Sequence, residues 1–135
     1  MRVVFDASTV VGAALKADGI PRQALLAARE SHTILLSNAV YAEIGEVLAR
    51  PKFARVLTEE RRLEILELLA AAAIWIEPTD RIRDCRDDKD NKYLELAAAG
   101  GAEAIVTSDD DLLILDPWRH IRILGARDFL ATLPP

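Results

Sequence analysis

The sequence predicts an α/β fold with a mainly parallel five-stranded sheet, and three observations lead there. Short, wholly apolar runs alternate with longer stretches of helical periodicity. The apolar runs lack the in–out alternation of a half-exposed antiparallel strand, so both of their faces must be covered. Each pair of runs is separated by enough chain for a crossover helix, which is the connection parallel strands require.

The elements follow in order. Val3-Val4-Phe5 reads as a short buried strand. Helical stretches are expected at about 8–16 and, after the helix-starting Pro21, at 22–31. Residues 33–36 form a second strand. Asn38 can then cap a helix that runs to about Arg50, where Pro51 ends it. Thr58 caps the next helix, 61–73. Ile74-Trp75-Ile76 is a third strand, closed by Pro78. A helix over 90–99 is stopped by Gly100-Gly101. Ala104-Ile105-Val106 gives a fourth strand, 110–115 a short helix, 121–124 a fifth strand and 126–133 a last helix. No repeat, low-complexity tract or linker divides the chain, so residues 1–135 are expected to form a single domain.

Composition narrows the chemistry. No apolar run approaches the ~18–20 residues that span a bilayer, and the N-terminus has no signal-peptide pattern, so a cytoplasmic protein without a membrane partner is expected. One cysteine cannot close an internal disulfide, and with two histidines it cannot build a Cys/His zinc site. Any resident metal should be a hard cation on carboxylates. The net charge of −5 runs against a nucleic-acid partner, but a cluster of catalytic acids accounts for that much charge, and bound cations reverse it locally. Positive charge is bunched from Arg50 to Arg62, where five basic side chains stand against two acids. Arg50, Lys52 and Arg55 there are candidate RNA contacts, or simply one solvated face.

In open parallel sheets, ligands bind at the carboxyl ends of the strands, where strand order reverses. Asp6 directly follows the first strand, and Asp109, with Asp110 and Asp111, follows the fourth. Helix capping is an alternative role for Asp6 and Asp109, with Ser8 a rival cap to Asp6. Asp90 falls roughly 30° from the centre of the apolar stripe formed by Leu94, Ala97 and Ala98, at 100° per residue. A carboxylate so placed needs a partner, or else remains a solvated first-turn cap. Asn91 points to the same side. Glu43 flanks the stripe of Val40, Ile44, Val47 and Leu48, where it is either a boundary glutamate or a site acid, while Glu46 lies outside the stripe. Four carboxylates gathered at one sheet edge cannot all stay ionised without cations. Mg²⁺ or Mn²⁺ suits such a site, and a two-metal cluster is a recurrent device for phosphodiester hydrolysis.

The motifs carrying these acids resemble those of PIN domains. Asp6-Ala7-Ser8-Thr9-Val10-Val11 looks like the opening motif, with Ala7 where Thr is usual. Residues 37–44, with Val47-Leu48-Ala49-Arg50-Pro51-Lys52-Phe53, resemble the second motif. Asp87-Asp88-Lys89-Asp90-Asn91-Lys92-Tyr93-Leu94 resembles the third, and Thr107-Ser108-Asp109-Asp110-Asp111-Leu112 the fourth. The resemblance implies a three-layer α/β/α, Rossmann-like nuclease domain. It implies metal-site acids at Asp6, Glu43, Asp90 and Asp109, Asp111 as an auxiliary acid, and Ser8, Thr107 and Asn91 in support. Asp87 and Asp88 are alternatives for the third acid, and Asp110 for the fourth. The branch is similar to the VapC-like toxins of toxin–antitoxin pairs. That implies a ribonuclease leaving a 5′-phosphate and a 3′-hydroxyl, restrained by a cognate antitoxin and forming a homodimer.

Rival readings differ at named positions. A haloacid-dehalogenase-like phosphatase needs a second Asp two residues after Asp6, where Ser8 stands. A response-regulator receiver needs an acid after the third strand, which here ends Ile76-Glu77-Pro78. A catalytically silent PIN-like binding or regulatory module would keep the fold without turnover. Cys85 and His32 read as structural, His120 as a surface or partner contact, and Trp75 and Trp118 as core or interface.

Overall fold

The computed structural model describes residues 1–133. Five parallel strands form one sheet: β1 (Arg2–Phe5), β2 (Thr33–Leu36), β3 (Ile74–Trp75), β4 (Ala104–Val106) and β5 (Arg122–Leu124). Their spatial order is β3-β2-β1-β4-β5, and every pairing is parallel. The chain winds outward from β1 to β3, then crosses back to lay β4 on the other side of β1. Strand order thus reverses between β1 and β4, which opens a crevice at their carboxyl ends.

The helices are α1 (Ala7–Leu15), α2 (Ile20–Ser31), α3 (Asn38–Leu48), α4 (Glu59–Ala72), α5 (Asn91–Gly100), α6 (Asp110–Leu113) and α7 (Ala126–Ala131). They cover both sheet faces. Leu35 of β2 lies beneath α5 at Gly100, whereas Phe5 of β1 meets Phe129 of α7 edge to face. Val3 pairs with Ile34 across the β1–β2 register, so Leu35 shares its face with Val4 and Phe5 lies on the other. α2 packs with α7 on that second face, and α2 and α4 reach β2 from it. The expected α/β class and three layers are therefore observed, and the sheet is wholly parallel.

Local chemistry sets the helix ends. Thr58 caps α4 by accepting the Arg61 N–H at 3.1 Å, as expected. Pro21 lies in the first turn of α2. Gly101 closes α5 in the left-handed region at φ 65°. The cap of α3 is Ser37 rather than Asn38: its Oγ accepts the Val40 N–H at 3.2 Å, while the Asn38 N–H donates to Glu77 Oε1 at 2.8 Å. α3 stops at Leu48, short of Arg50, and Pro51–Phe53 makes a separate 3₁₀ turn. Ile76 falls outside β3, although its N–H still donates to the Leu36 carbonyl at 2.8 Å.

Trp118, Cys85 and Tyr93 are buried in the core. Trp118 Nε1–H donates to Asp84 Oδ2 at 2.8 Å. Trp75 is 40% exposed on edge strand β3 and stacks edge to face on Tyr41. Among the described residues, no helix is long and apolar enough to cross a membrane.

Candidate metal centre

Asp6 is the first residue past β1, and its N–H still donates to the Val106 carbonyl of β4 at 3.1 Å. That ladder bond fixes the carboxylate at the crevice between the two strands. The side chain is 3% exposed and is held by four neighbouring donors. It accepts from the Thr9 N–H at 3.0 Å, Thr9 Oγ1 at 2.9 Å, Ser8 Oγ at 2.8 Å and the Thr107 hydroxyl. Asp6 is thus the N-cap of α1 as well as a crevice acid. Ser8 bonds the acid instead of competing to cap. Burial raises the Asp6 pKa above the ordinary carboxylate value, against the lowering effect of these hydrogen bonds.

Thr107, fully buried just past β4, joins the first acid to the last. Its Oγ1 donates to Asp6 and accepts the Asp109 N–H at 2.9 Å. Asp109 caps α6 with one oxygen, taking the Asp111 N–H at 2.8 Å. The capping and crevice roles coexist in Asp109 because a carboxylate has more than one acceptor site.

Asp90 enters from the end of a 3₁₀ turn, Asp88–Asp90, that leads into α5. It is 5% exposed and makes no capping bond. Its Oδ2 is buried without a hydrogen-bond partner among the described residues. Burial, then the hydrogen bond and negative charge of Asp109, push its pKa up to about 7. Asp87 instead caps the 3₁₀ turn and pairs with Lys89 at 3.3 Å, while Asp88 is exposed. Asn91 is buried and accepts the Cys85 N–H at 2.8 Å, fastening the preceding segment beneath Asp90.

Glu43 comes from the middle of α3. Its Oε2 accepts from Lys92 Nζ at 2.6 Å and its Oε1 from the Tyr93 hydroxyl. The same Tyr93 oxygen accepts the Ala7 N–H at 3.1 Å, so one phenol ties Glu43 to the start of α1. Asp6, Glu43, Asp90 and Asp109 line one cleft of about 310 Å³, with Ser8, Glu46, Arg50 and Lys89 along its walls. Glu46, read from the sequence as lying outside the stripe, reaches this rim while staying exposed. Asp111 does not line the cleft; its carboxylate engages Arg86, with Nε at 2.9 Å. Lys52 and Arg55 are exposed and do not line the cleft.

Thr9, Ser108, Arg86, Lys92 and Tyr93 were not singled out by sequence reasoning. Thr9 had a local signal, since it lies three residues after a strand-end Asp that could cap through it. The others bond partners remote in sequence, which no local pattern reveals. Among the described residues, no three Asp, Glu, His or Cys side chains close into a finished cage; Glu43 is turned to Lys92 and Tyr93, and Asp111 to Arg86. The donor set nevertheless fits a hard divalent cation. It is all oxygen, and the orphaned Asp90 Oδ2 is a buried acceptor that only a cation or a proton would satisfy.

A doubly wound parallel sheet with an acid-lined cleft at its switch point defines a three-layer α/β domain built to bring carboxylates together from separate motifs. The sequence model of the PIN domain family matches residues 2–111, and the chain belongs to that family. An uncharacterised protein of Methanocaldococcus jannaschii, MJ1680, is 32% identical over 126 residues, covering 91% of this chain and 81% of its own length. The fold is similar to that of VapBC2 from Rickettsia felis, solved bound to a DNA fragment from its promoter. The TM-score is 0.63 at 16% identity, over 91% of this chain and 97% of that one. It is also similar to PAE2754 from Pyrobaculum aerophilum, with a TM-score of 0.62 at 19% identity, over 97% and 88% of the two chains.

Proposed function

We propose that this PIN domain is a Mg²⁺- or Mn²⁺-dependent endoribonuclease and the toxin of a toxin–antitoxin pair. The observation that carries the reading is the unpartnered, buried Asp90 Oδ2 in a cleft shared with Asp6, Glu43 and Asp109. Family membership supports nuclease chemistry, and the likeness in fold to VapBC2 supports a partner antitoxin. A homodimer and a cytoplasmic site of action belong to the same reading.

Asp6, Asp90 and Asp109 would hold the cation. When bound, it supplies a lowered pKa to water and positive charge against the phosphodiester. Ser8, Thr9 and Thr107 hold the Asp6 carboxylate in one orientation with preset donors, so little reorganisation accompanies the reaction. Arg50 and Lys89 stand at the cleft wall, where they can meet phosphate oxygens flanking the cut, and the exposed Lys52 and Arg55, which follow Arg50 in the chain, are further candidate RNA contacts. Water oxygen attacks phosphorus and the bond to the 3′-oxygen breaks, leaving a 5′-phosphate and a 3′-hydroxyl.

The test is cleavage of mixed cellular RNA by purified wild type and Asp6→Asn, with Mn²⁺ or Mg²⁺ and then with EDTA. Wild type is expected to cut and EDTA to abolish it. Asp6→Asn is expected to lose at least ~10²-fold in rate, the scale of one transition-state electrostatic group. Equal cutting by both proteins would reject the site. Metal binding without cutting on a broad RNA panel would leave a binding module in place of an enzyme.

A further inference from the structure

Lys92 sits in the first turn of α5, two residues past Asp90. Its ammonium donates to Glu43 Oε2 at 2.6 Å and to the Lys89 carbonyl. Tyr93, the next residue, donates to the other Glu43 oxygen. Both oxygens of Glu43 are therefore occupied by donors from α5. The pair is sheltered, with side-chain exposures of 21% for Lys92 and 19% for Glu43, so it is weakly screened compared with a surface ion pair. Lys89, the neighbouring cation, is exposed and pairs with Asp87 at 3.3 Å, so it does not duplicate this role.

We propose that Lys92 is a built-in counter-ion on Glu43 that limits the centre to a single divalent cation, held by Asp6, Asp90 and Asp109. The inference rests on the metal-centre reading above and departs from the two-metal cluster expected of four acids. A second divalent ion on Glu43 would have to share its carboxylate with an ammonium group, and two cations on one carboxylate repel. A tethered ammonium also relieves repulsion among four neighbouring acids before any ion arrives. Tyr93 adds geometry: through the Ala7 N–H it anchors Glu43 against the start of α1. Glu43 is then a positioning residue that holds α3 and α5 together across the cleft.

The experiment is Mn²⁺ binding to the purified chain without RNA, followed by calorimetry and by the electron paramagnetic resonance of free Mn²⁺. Three variants complete the set: Lys92→Met, Lys92→Arg and Glu43→Gln. Wild type and Lys92→Arg are expected to bind one ion. Lys92→Met keeps the aliphatic stem and removes the charge. It is expected to bind a second ion and to hold the first about tenfold more tightly, as loss of a unit charge a few ångströms away implies. Glu43→Gln is expected to keep the single ion but to hold it about tenfold more weakly, because it removes a unit of negative charge beside the site and leaves the Lys92 ammonium uncompensated without removing a ligand; circular dichroism checks that each variant folds. Two ions in wild type, a single ion in folded Lys92→Met, or loss of the ion in Glu43→Gln would each overturn the proposal. Absence of Mn²⁺ binding in all four proteins is a distinct result, and it would overturn the metal-centre reading itself.

Discussion

Asp90 is where burial and charge conflict most sharply, and the conflict is measurable without RNA. Its folded-state pKa is about 7, while in an unfolded chain an aspartate titrates near ~3.9. Between those values the folded protein holds a proton that the unfolded chain has released. Stability from this group is therefore full below about pH 4 and is lost as pH rises toward 7. Metal-free Asp90→Asn is expected to be more stable than wild type at pH 7.5, because the mutant no longer has a buried carboxylate to ionise. The two should match near pH 4. Urea melts at both pH values check this, and an equal difference at each would reject the pKa assignment. At this scale the sequence was partly legible. Asp6 and Asp109 stand out because each follows an apolar strand, and Asp90 because it falls on a buried stripe. Lys92 and Arg86 were not legible, because their partners Glu43 and Asp111 lie 49 and 25 residues away, and only the fold makes them neighbours.

At the scale of elements, α5 links the third acid to the sheet, and its end is as constrained as its beginning. A Cβ at Gly100 would come within 2.5 Å of Leu35 Cδ1, and Leu35 is itself buried in the core. Gly100→Ala is expected to cost about 1–3 kcal/mol through overpacking, seen as a lower denaturation midpoint, with Leu35→Val restoring part of it. From sequence, Gly100-Gly101 reads only as a helix stop. The division of labour, close approach at Gly100 and positive φ at Gly101, needs the crossing with β2. The same limit explains the displaced cap of α3. Ser37 and Asn38 are both good cap residues, and the choice turns on Glu77, a partner from the far side of β3 that takes the Asn38 N–H.

For the whole molecule, the parallel sheet and its element order could be read from apolar runs and helical periods, because these are local properties of the chain. The reversal between β1 and β4 is a matter of long-range pairing. The four crevice acids come from the ends of β1 and β4, the middle of α3 and the entry to α5. A cation bound among them would join motifs spread across most of the chain. Mn²⁺ at ~100 times its dissociation constant is expected to stabilise the fold by about 2.7 kcal/mol. A raised melting temperature, reversed by EDTA and absent in Asp6→Asn, is the readout. No metal-dependent shift in wild type would argue against the centre.

Cys85 is the chain's single thiol. It is buried, with its N–H on Asn91 and its Sγ 3.5 Å from the Asp111 carbonyl. Burial also raises its pKa, which keeps the sulfur protonated and slow to react. An alkylating reagent can reach it only when the segment ahead of α5 lifts away. The protein thus carries a native reporter five residues ahead of Asp90, and the labelling rate of that sulfur times the opening of this segment with no label engineered in.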